Sequence, residues 1–396
     1  MSRPDFRAEA AALRDPLIAR RREIHQHPEI AFEEVRTAGI VARRLVELGL
    51  EVQTGVGRTG VVALLEGERP GPTVLLRADM DALPVQEENA VEYRSLTAGK
   101  MHACGHDGHT SILLAVAEML TRHREEMAGR IKFVFQPAEE IGQGAAAMVA
   151  DGVLNDPAPE VVLGLHLWNE LPVGEVVLTP GAFMAGAERF RLRVEGKGTH
   201  GALPHQGHDP ILAMGHIVTA LQSIVSRNVP PLDTAVISAG RIAGGEAFNI
   251  IPQRVELLGT IRTFKRETRQ QVVERLEALA THTARALGCT AALEAQTVAL
   301  SVLNDAGVIG RLRGCFERVA PELRRHEAYR TMVSEDVSYL MEGRAGAYFF
   351  VGSANAARGL NYTHHHPRFD IDEDALVIGA GLLASAAAEW VMEEKI

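Results

Sequence analysis

Apolar and polar positions alternate along the chain in a readable succession. Residues 5–25 carry apolar side chains at helical spacing, with Arg and Glu between them. They predict a helix that stops near His27-Pro28, because proline disfavours helix in the residue before it. Residues 33–48 predict a second amphipathic helix, closed by Gly49, and residues 51–65 a pair of strands with glycine turns. Residues 72–78 read as a short buried strand that delivers Asp79-Met80-Asp81 at its end. An apolar helix over 111–120 is followed by a strand over 129–136, which ends at Pro137-Ala138-Glu139-Glu140. A helix over 142–151 leads to a strand over 160–168 that holds His166 among apolar residues. Strand, loop and helix alternate throughout, which predicts an α/β fold with a mostly parallel sheet and flanking helices.

The pattern changes near residue 188. Strands are predicted over 190–195, 234–243, 254–263 and 289–296, and helices over 209–227 and 267–287. The order β-α-β-β-α-β is that of a ferredoxin-like unit. It is read as an inserted α+β domain over 187–296, which leaves 1–186 and 297–396 as one catalytic domain. The first architecture then resumes with a helix over 308–319, a buried strand over 347–352, a loop containing His364-His365-His366-Pro367 and a closing helix over 373–392.

Composition narrows the class. A chain of 396 residues, 46% apolar and 23% charged, suits a folded protein of two domains. The net charge of −10 excludes a nucleic-acid surface. The opening residues are charged rather than an apolar leader, and no run approaches a membrane span. A cytoplasmic protein without nucleic-acid or membrane partners is expected. Cys104, Cys289 and Cys315 are too scattered for a disulfide framework. Cys289 and Cys315 are expected in the core.

Cys104 is different. Met101-His-Ala-Cys-Gly-His-Asp-Gly-His-Thr110 places three His, one Cys and one Asp between small residues, and these are the side chains that bind borderline divalent metals. It is expected on a loop at a helix N-terminus. Asp79, Asp81, Cys104, His106, Glu139, Glu140, His166 and the run His364–His366 all fall at strand–loop junctions, which a parallel sheet gathers at one edge. Two metals about 3.5–4 Å apart can polarise a carbonyl and activate water. Adjacent glutamates suit this, since on a non-helical backbone one can bind metal while the other faces the water.

The chain resembles the zinc- or manganese-dependent amidohydrolases that include hippurate hydrolase, auxin-conjugate hydrolases and N-acyl-amino-acid deacetylases, relatives of aminoacylase and dipeptidases. The resemblance rests on His25-Gln-His-Pro-Glu29, Arg77-Ala-Asp-Met-Asp-Ala-Leu-Pro84, His102 to Thr110, Gln136-Pro-Ala-Glu-Glu140, Gly164-Leu-His166, Gly198-Thr-His200, Asn249-Ile-Ile-Pro252 and His365-His-Pro367. It implies a zinc-exopeptidase-like catalytic domain with a lid and dimerisation domain, hence a homodimer or higher homo-oligomer, and two divalent ions per subunit (Zn, Mn, Co or Ni). Cys104, His106, Glu140, His166 and His365 would hold them; His-x-Pro selects His365, with His364 and His366 as alternative registers. Glu139 would be general base and then acid, Asp81 would orient a ligand, and His200 would steady the oxyanion. Asn249 and Arg262 would contact a substrate carboxylate. His102, Asp107 and His109 would be supports or bystanders. The implied reaction is hydrolysis of the amide bond of an N-acyl-amino acid. Dipeptide or carboxypeptidase-type cleavage is the near alternative, and a non-catalytic metal-binding protein the distant one.

Overall fold

The computed structural model describes residues 3–392. Twelve strands carry the architecture: β1 (Glu51–Val56), β2 (Gly60–Glu66), β3 (Arg69–Asp79), β4 (Ala128–Gln136), β5 (Val161–Pro172), β6 (Glu175–Val177), β7 (Gly186–Glu195), β8 (Ala235–Ala243), β9 (Arg254–Thr263), β10 (Thr290–Ala299), β11 (Arg324–His326) and β12 (Ala345–Ala354). Eight of them form one sheet in the order β1-β2-β4-β3-β5-β12-β6-β11. Its centre is parallel: β3 pairs with β4 and β5, and β5 with β12. The strands β1 and β2 are antiparallel additions at one side. Strands buried on both faces have no polar side to show, which explains the continuous apolar runs at 74–76, 161–163 and 347–351.

The helices Arg14–Gln26, His106–Arg122 and Asp374–Val391 supply much of the covering core. Asp374–Val391 corrects one expectation: by length and apolarity it could cross a membrane, with a mean hydropathy of 1.4. Its small Ala and Gly residues are instead packed in the interior, and 78% of the helix is buried. The predicted helix over 5–25 is also two helices, Phe6–Ala12 and Arg14–Gln26, parted at Leu13. Pro16 has no N–H to continue the first helix, but it fits in the first turn of the second.

The chain divides into two compact units. The first takes the chain through Phe183, with Leu303–Arg330 and everything from Asp336; the second is Met184–Val302 with Thr331–Glu335. Within the second unit β7, β8, β9 and β10 form an antiparallel sheet in the order β8-β9-β7-β10. The helices Pro210–Asn228 and Arg266–Ala286 fill a core of their own with it. This is the strand order of a ferredoxin-like unit.

Candidate metal centre

The parallel register sets the floor of the site. Asp79 ends β3 opposite Gln136, which ends β4. Arg77 lies opposite Gly164 of β5, so His166, two residues on, is level with Asp79. The helix His106–Arg122 begins earlier than the sequence suggested. Gly105, with φ +94°, turns the chain, and His106 to Thr110 lie inside the helix rather than on a loop. The acidic pair also departs from expectation: Glu139 and Glu140 share one 3₁₀ turn, Glu139–Ile141. Gly144 lets that turn close, since a Cβ there would lie 1.5 Å from the Pro137 carbonyl oxygen.

These elements bring six of the candidate side chains together. Cys104 Sγ lies 3.6 Å from His166 Nε2. Nε2 of His106 lies 3.8 Å from Glu140 and 4.0 Å from Glu139, and Nε2 of His365 lies 3.3 Å from Glu140. Ligand atoms of Cys104, His106 and His166 fall within 4.8 Å of one another, as do those of Cys104, Glu140 and His365. Cys104 is common to both sets.

The donors are presented as a divalent ion requires. His106 donates from Nδ1 to the Asp81 carbonyl at 2.8 Å, and His166 from Nδ1 to the Leu167 carbonyl at 2.7 Å. With Nδ1 committed to a carbonyl, each ring turns Nε2 to the site, where deprotonated it would offer a lone pair to an ion. His106 Nε2 and Glu140 Oε1 are buried with no hydrogen-bond partner, an arrangement that leaves buried polar atoms for an ion to satisfy. Burial, with the negative charges of Asp81 and Asp79, pushes the Glu140 carboxyl up to about 7 against the pull of His106. Burial opposes charge on His106, but Asp79, Asp81 and Glu140 outweigh it and raise that imidazole to about 10. A cation in the site would relieve both. A thiolate with two imidazoles, and the same thiolate with an imidazole and a carboxylate, therefore fit a pair of divalent ions.

A second layer holds these groups. The Asp81 carboxylate accepts the Glu139 and Glu140 N–H groups, each at 3.0 Å. The Leu167 peptide is a junction: its N–H donates to His109 Nε2 at 2.9 Å, and its carbonyl accepts from His166 and from His364 Nε2 at 3.0 Å. His109 donates from Nδ1 to Asp79 at 2.6 Å, and Arg77 donates to Asp79 at 2.7 Å. His364 packs against Trp168 and is held neutral by burial, its pKa down to about 4. His366 stacks on Tyr362. Of the histidine run, His365 is the member whose ring meets Glu140.

Asp107 serves a separate network. Fully buried Arg21 donates to Asp107 at 2.7 Å and to Asp370 at 2.8 Å, and His25 lies 2.8 Å from Asp107. Burial opposes it, but Arg21 and His25 hold the Asp107 carboxyl far below the usual carboxylate range. His102 is buried and neutral, its pKa lowered to about 3. Two buried charged residues near these groups were not singled out from the sequence: Arg21, and Glu34, whose carboxylate accepts the Ala138 N–H at 2.9 Å. Arg21 carried a signal, an arginine on the buried side of an amphipathic helix. Glu34, in a polar Glu33-Glu34 pair, carried none.

His200, Asn249 and Arg262 belong to the second unit. His200 pairs with Ile250 across a short antiparallel bridge, and Gly201 donates to the Asn249 carbonyl at 2.7 Å. His200 Nδ1 accepts the Ala202 N–H at 3.0 Å, so the neutral ring carries its proton on Nε2. Arg262, on β9, donates to Ser334 at 2.5 Å.

Comparison with known proteins agrees with this chemistry. Residues 75–389 match Peptidase family M20/M25/M40. The chain is 38% identical over 377 residues to N-acetyl-L-cysteine deacetylase of Bacillus subtilis, covering 95% of this chain and 88% of that protein. It is 39% identical over 389 residues to IAA-amino acid hydrolase ILR1-like 4 of Arabidopsis thaliana, covering 96% and 87%. A crystal structure of Bacillus subtilis YxeP, described as a dinuclear metal binding peptidase from the M20 family, superposes with a TM-score of 0.83 at 34% identity over 95% of this chain and 98% of that one. What sheet, site and likeness define together is a metal-dependent amidohydrolase. The chain belongs to peptidase family M20/M25/M40.

Proposed function

We propose that this chain hydrolyses the amide bond of N-acyl-amino acids, releasing a carboxylic acid and a free amino acid. The observation that carries the reading is the turn at 139–140, where two adjacent carboxylates face one cluster: Glu140 meets the His365 ring at 3.3 Å, and Glu139 lies 4.0 Å from His106. Cys104, His106, Glu140, His166 and His365 are the proposed ligands of two divalent ions. Bound there, such ions supply polarisation of the amide carbonyl and acidification of a water. Glu139 then takes the proton of the attacking water and returns it to the leaving amine. Asp81 keeps both glutamates in place through their N–H groups. His200 offers its Nε2–H as the oxyanion donor, and Asn249 and Arg262 are proposed to take the substrate carboxylate. The substrate class draws support from relatives named for N-acetyl-L-cysteine and for IAA-amino acids.

A homodimer through the second unit is part of the reading. Strand β8 is an edge of its sheet and exposes Val236 and Ile242, and the helix Pro210–Asn228 exposes Ile211 and Leu212. Light scattering should give twice the chain mass, and Ile242→Asp should lower it.

The chemistry is tested by metal analysis and hydrolysis of N-acetyl, N-benzoyl and indole-acetyl amino acids, with dipeptides alongside, for wild type and Glu139→Ala. Metal in both proteins and turnover of N-acyl substrates by wild type alone is the expected result. Preferential cleavage of dipeptides would replace the substrate class, and full activity of Glu139→Ala would overturn the base.

A further inference from the structure

We propose that Glu34 is a positioning residue for the turn that carries Glu139 and Glu140. The inference rests on the roles proposed above for those two residues. Glu34 is fully buried just before the helix Val35–Glu47. Its Oε1 accepts the Ala138 N–H at 2.9 Å and the Phe32 N–H at 3.0 Å. Its Oε2 accepts the Thr59 hydroxyl at 2.5 Å. Both residues held by Oε1 are non-glycine residues in the left-handed region, Ala138 at φ +52° and Phe32 at φ +63°. Such a backbone persists only where its surroundings over-determine it.

Ala138 directly precedes the proposed base. Its N–H goes to Glu34, and the next two go to the two oxygens of Asp81. Three consecutive peptide N–H groups thus end on carboxylate oxygens, from the loop before one helix and from the loop after β3. Asp81 alone fixes two of the three. Without Glu34 the buried Ala138 N–H has no acceptor, and the strained residue is free to return to an extended conformation. That rotation swings the peptide joining 138 to 139 and carries both glutamates with it. The far end of the clamp is itself held, since the Arg58 guanidinium stacks 4.2 Å over the Phe32 ring. Glu34 touches no proposed ligand and no reacting atom, so its effect passes through the turn.

The full chain decides this with Glu34→Ala, Glu34→Gln and Glu34→Ala/Ala138→Gly, each checked for folding by circular dichroism. Cobalt(II) is titrated into metal-free protein and followed by its visible absorption, and kcat and KM are measured on an N-acetyl amino acid. Glu34→Ala should bind one of two cobalt ions about tenfold more weakly with an altered spectrum, and lose about 100-fold in kcat with KM within about threefold, as expected for a misplaced group. Glu34→Gln keeps an acceptor oxygen and should stay within about threefold of wild type in both assays. The double variant should regain about tenfold in kcat over Glu34→Ala, because glycine adopts positive φ without a side-chain penalty. Should Glu34→Ala not fold, Glu34→Asp, one methylene too short to reach Ala138, is expected to show the same losses. A folded Glu34→Ala or Glu34→Asp with wild-type titration and kcat overturns the proposal, and so does Glu34→Gln as damaged as Glu34→Ala. The cobalt titration needs no substrate, so an error in the substrate class does not change what that titration decides.

Discussion

Replacing Asp81 by asparagine perturbs the acidic turn at one point. In the native chain both carboxylate oxygens are used, each accepting a peptide N–H at 3.0 Å. Hydrogen bonds to a charged group are worth about 1.5–3 kcal/mol. Asparagine keeps one acceptor and turns an NH₂ toward the other N–H, so one bond is lost and one buried donor is left unsatisfied. Together these cost about 2–4 kcal/mol. If that cost falls on the population of the competent turn, kcat drops about 30- to 1,000-fold. His106 bonds to the backbone carbonyl of Asp81, which the substitution leaves in place, so the histidine keeps its orientation and only the ion that Glu140 helps to hold should bind more weakly. The assay is release of free amino acid from an N-acetyl substrate, with metal content measured after gel filtration. A folded Asp81→Asn protein with kcat within about threefold of wild type would refute the argument.

The histidine run makes a second prediction. His365→Ala should lower metal stoichiometry, whereas His364→Ala should retain it while reducing kcat, because His364 acts through the Leu167 carbonyl. Equal metal loss in both would make His364 a ligand. Arg21→Met leaves Asp107 and Asp370 buried without their cation, and urea unfolding should show a loss of about 3–5 kcal/mol. That loss should depend on acidity. Burial pushes Asp370 up, but Arg21 and Tyr93 hold it below 3.8. Its pairing therefore contributes fully above that pH, and the contribution fades as pH falls through the lowered folded value. A wild-type and Arg21→Met difference that does not shrink toward acid would contradict this.

The acid–base and ligand candidates were legible because each type is unusual where it stands. His166 interrupts an apolar strand, Cys104 and His106 sit among glycines, and Glu139-Glu140 follow a buried strand directly. The parallel sheet could be inferred from alternation, and with it the gathering of strand ends. Local backbone was harder. His106 to Thr110 join the helix because Gly105 takes a positive φ, which a loop of small residues does not announce. The helix break at Leu13 depends on one proline lying among good helix formers. Glu34 was invisible because two of its partners, Thr59 and Ala138, lie far away in sequence and meet it only through the fold. The apolar closing helix was placed by its pattern, but its membrane-like composition came from tight Ala and Gly packing rather than from any lipid.

The second unit interrupts the first in chain order, and the proposed ligands stand on both sides of that interruption. Cys104, His106, Glu140 and His166 precede Met184, and His365 follows Val302. During synthesis from the N-terminus, four donors emerge before the inserted segment and the fifth only after it. An ion met early can find the set of Cys104, His106 and His166, but the set that includes His365 is still incomplete. Full loading waits until β12 has inserted beside β5 and brought its following loop to the sheet's edge. On the proposed ligand set, chain order would make completion of the second of the two sets a late event in biogenesis, and a half-loaded pool should accumulate whenever folding of the last segment is slowed.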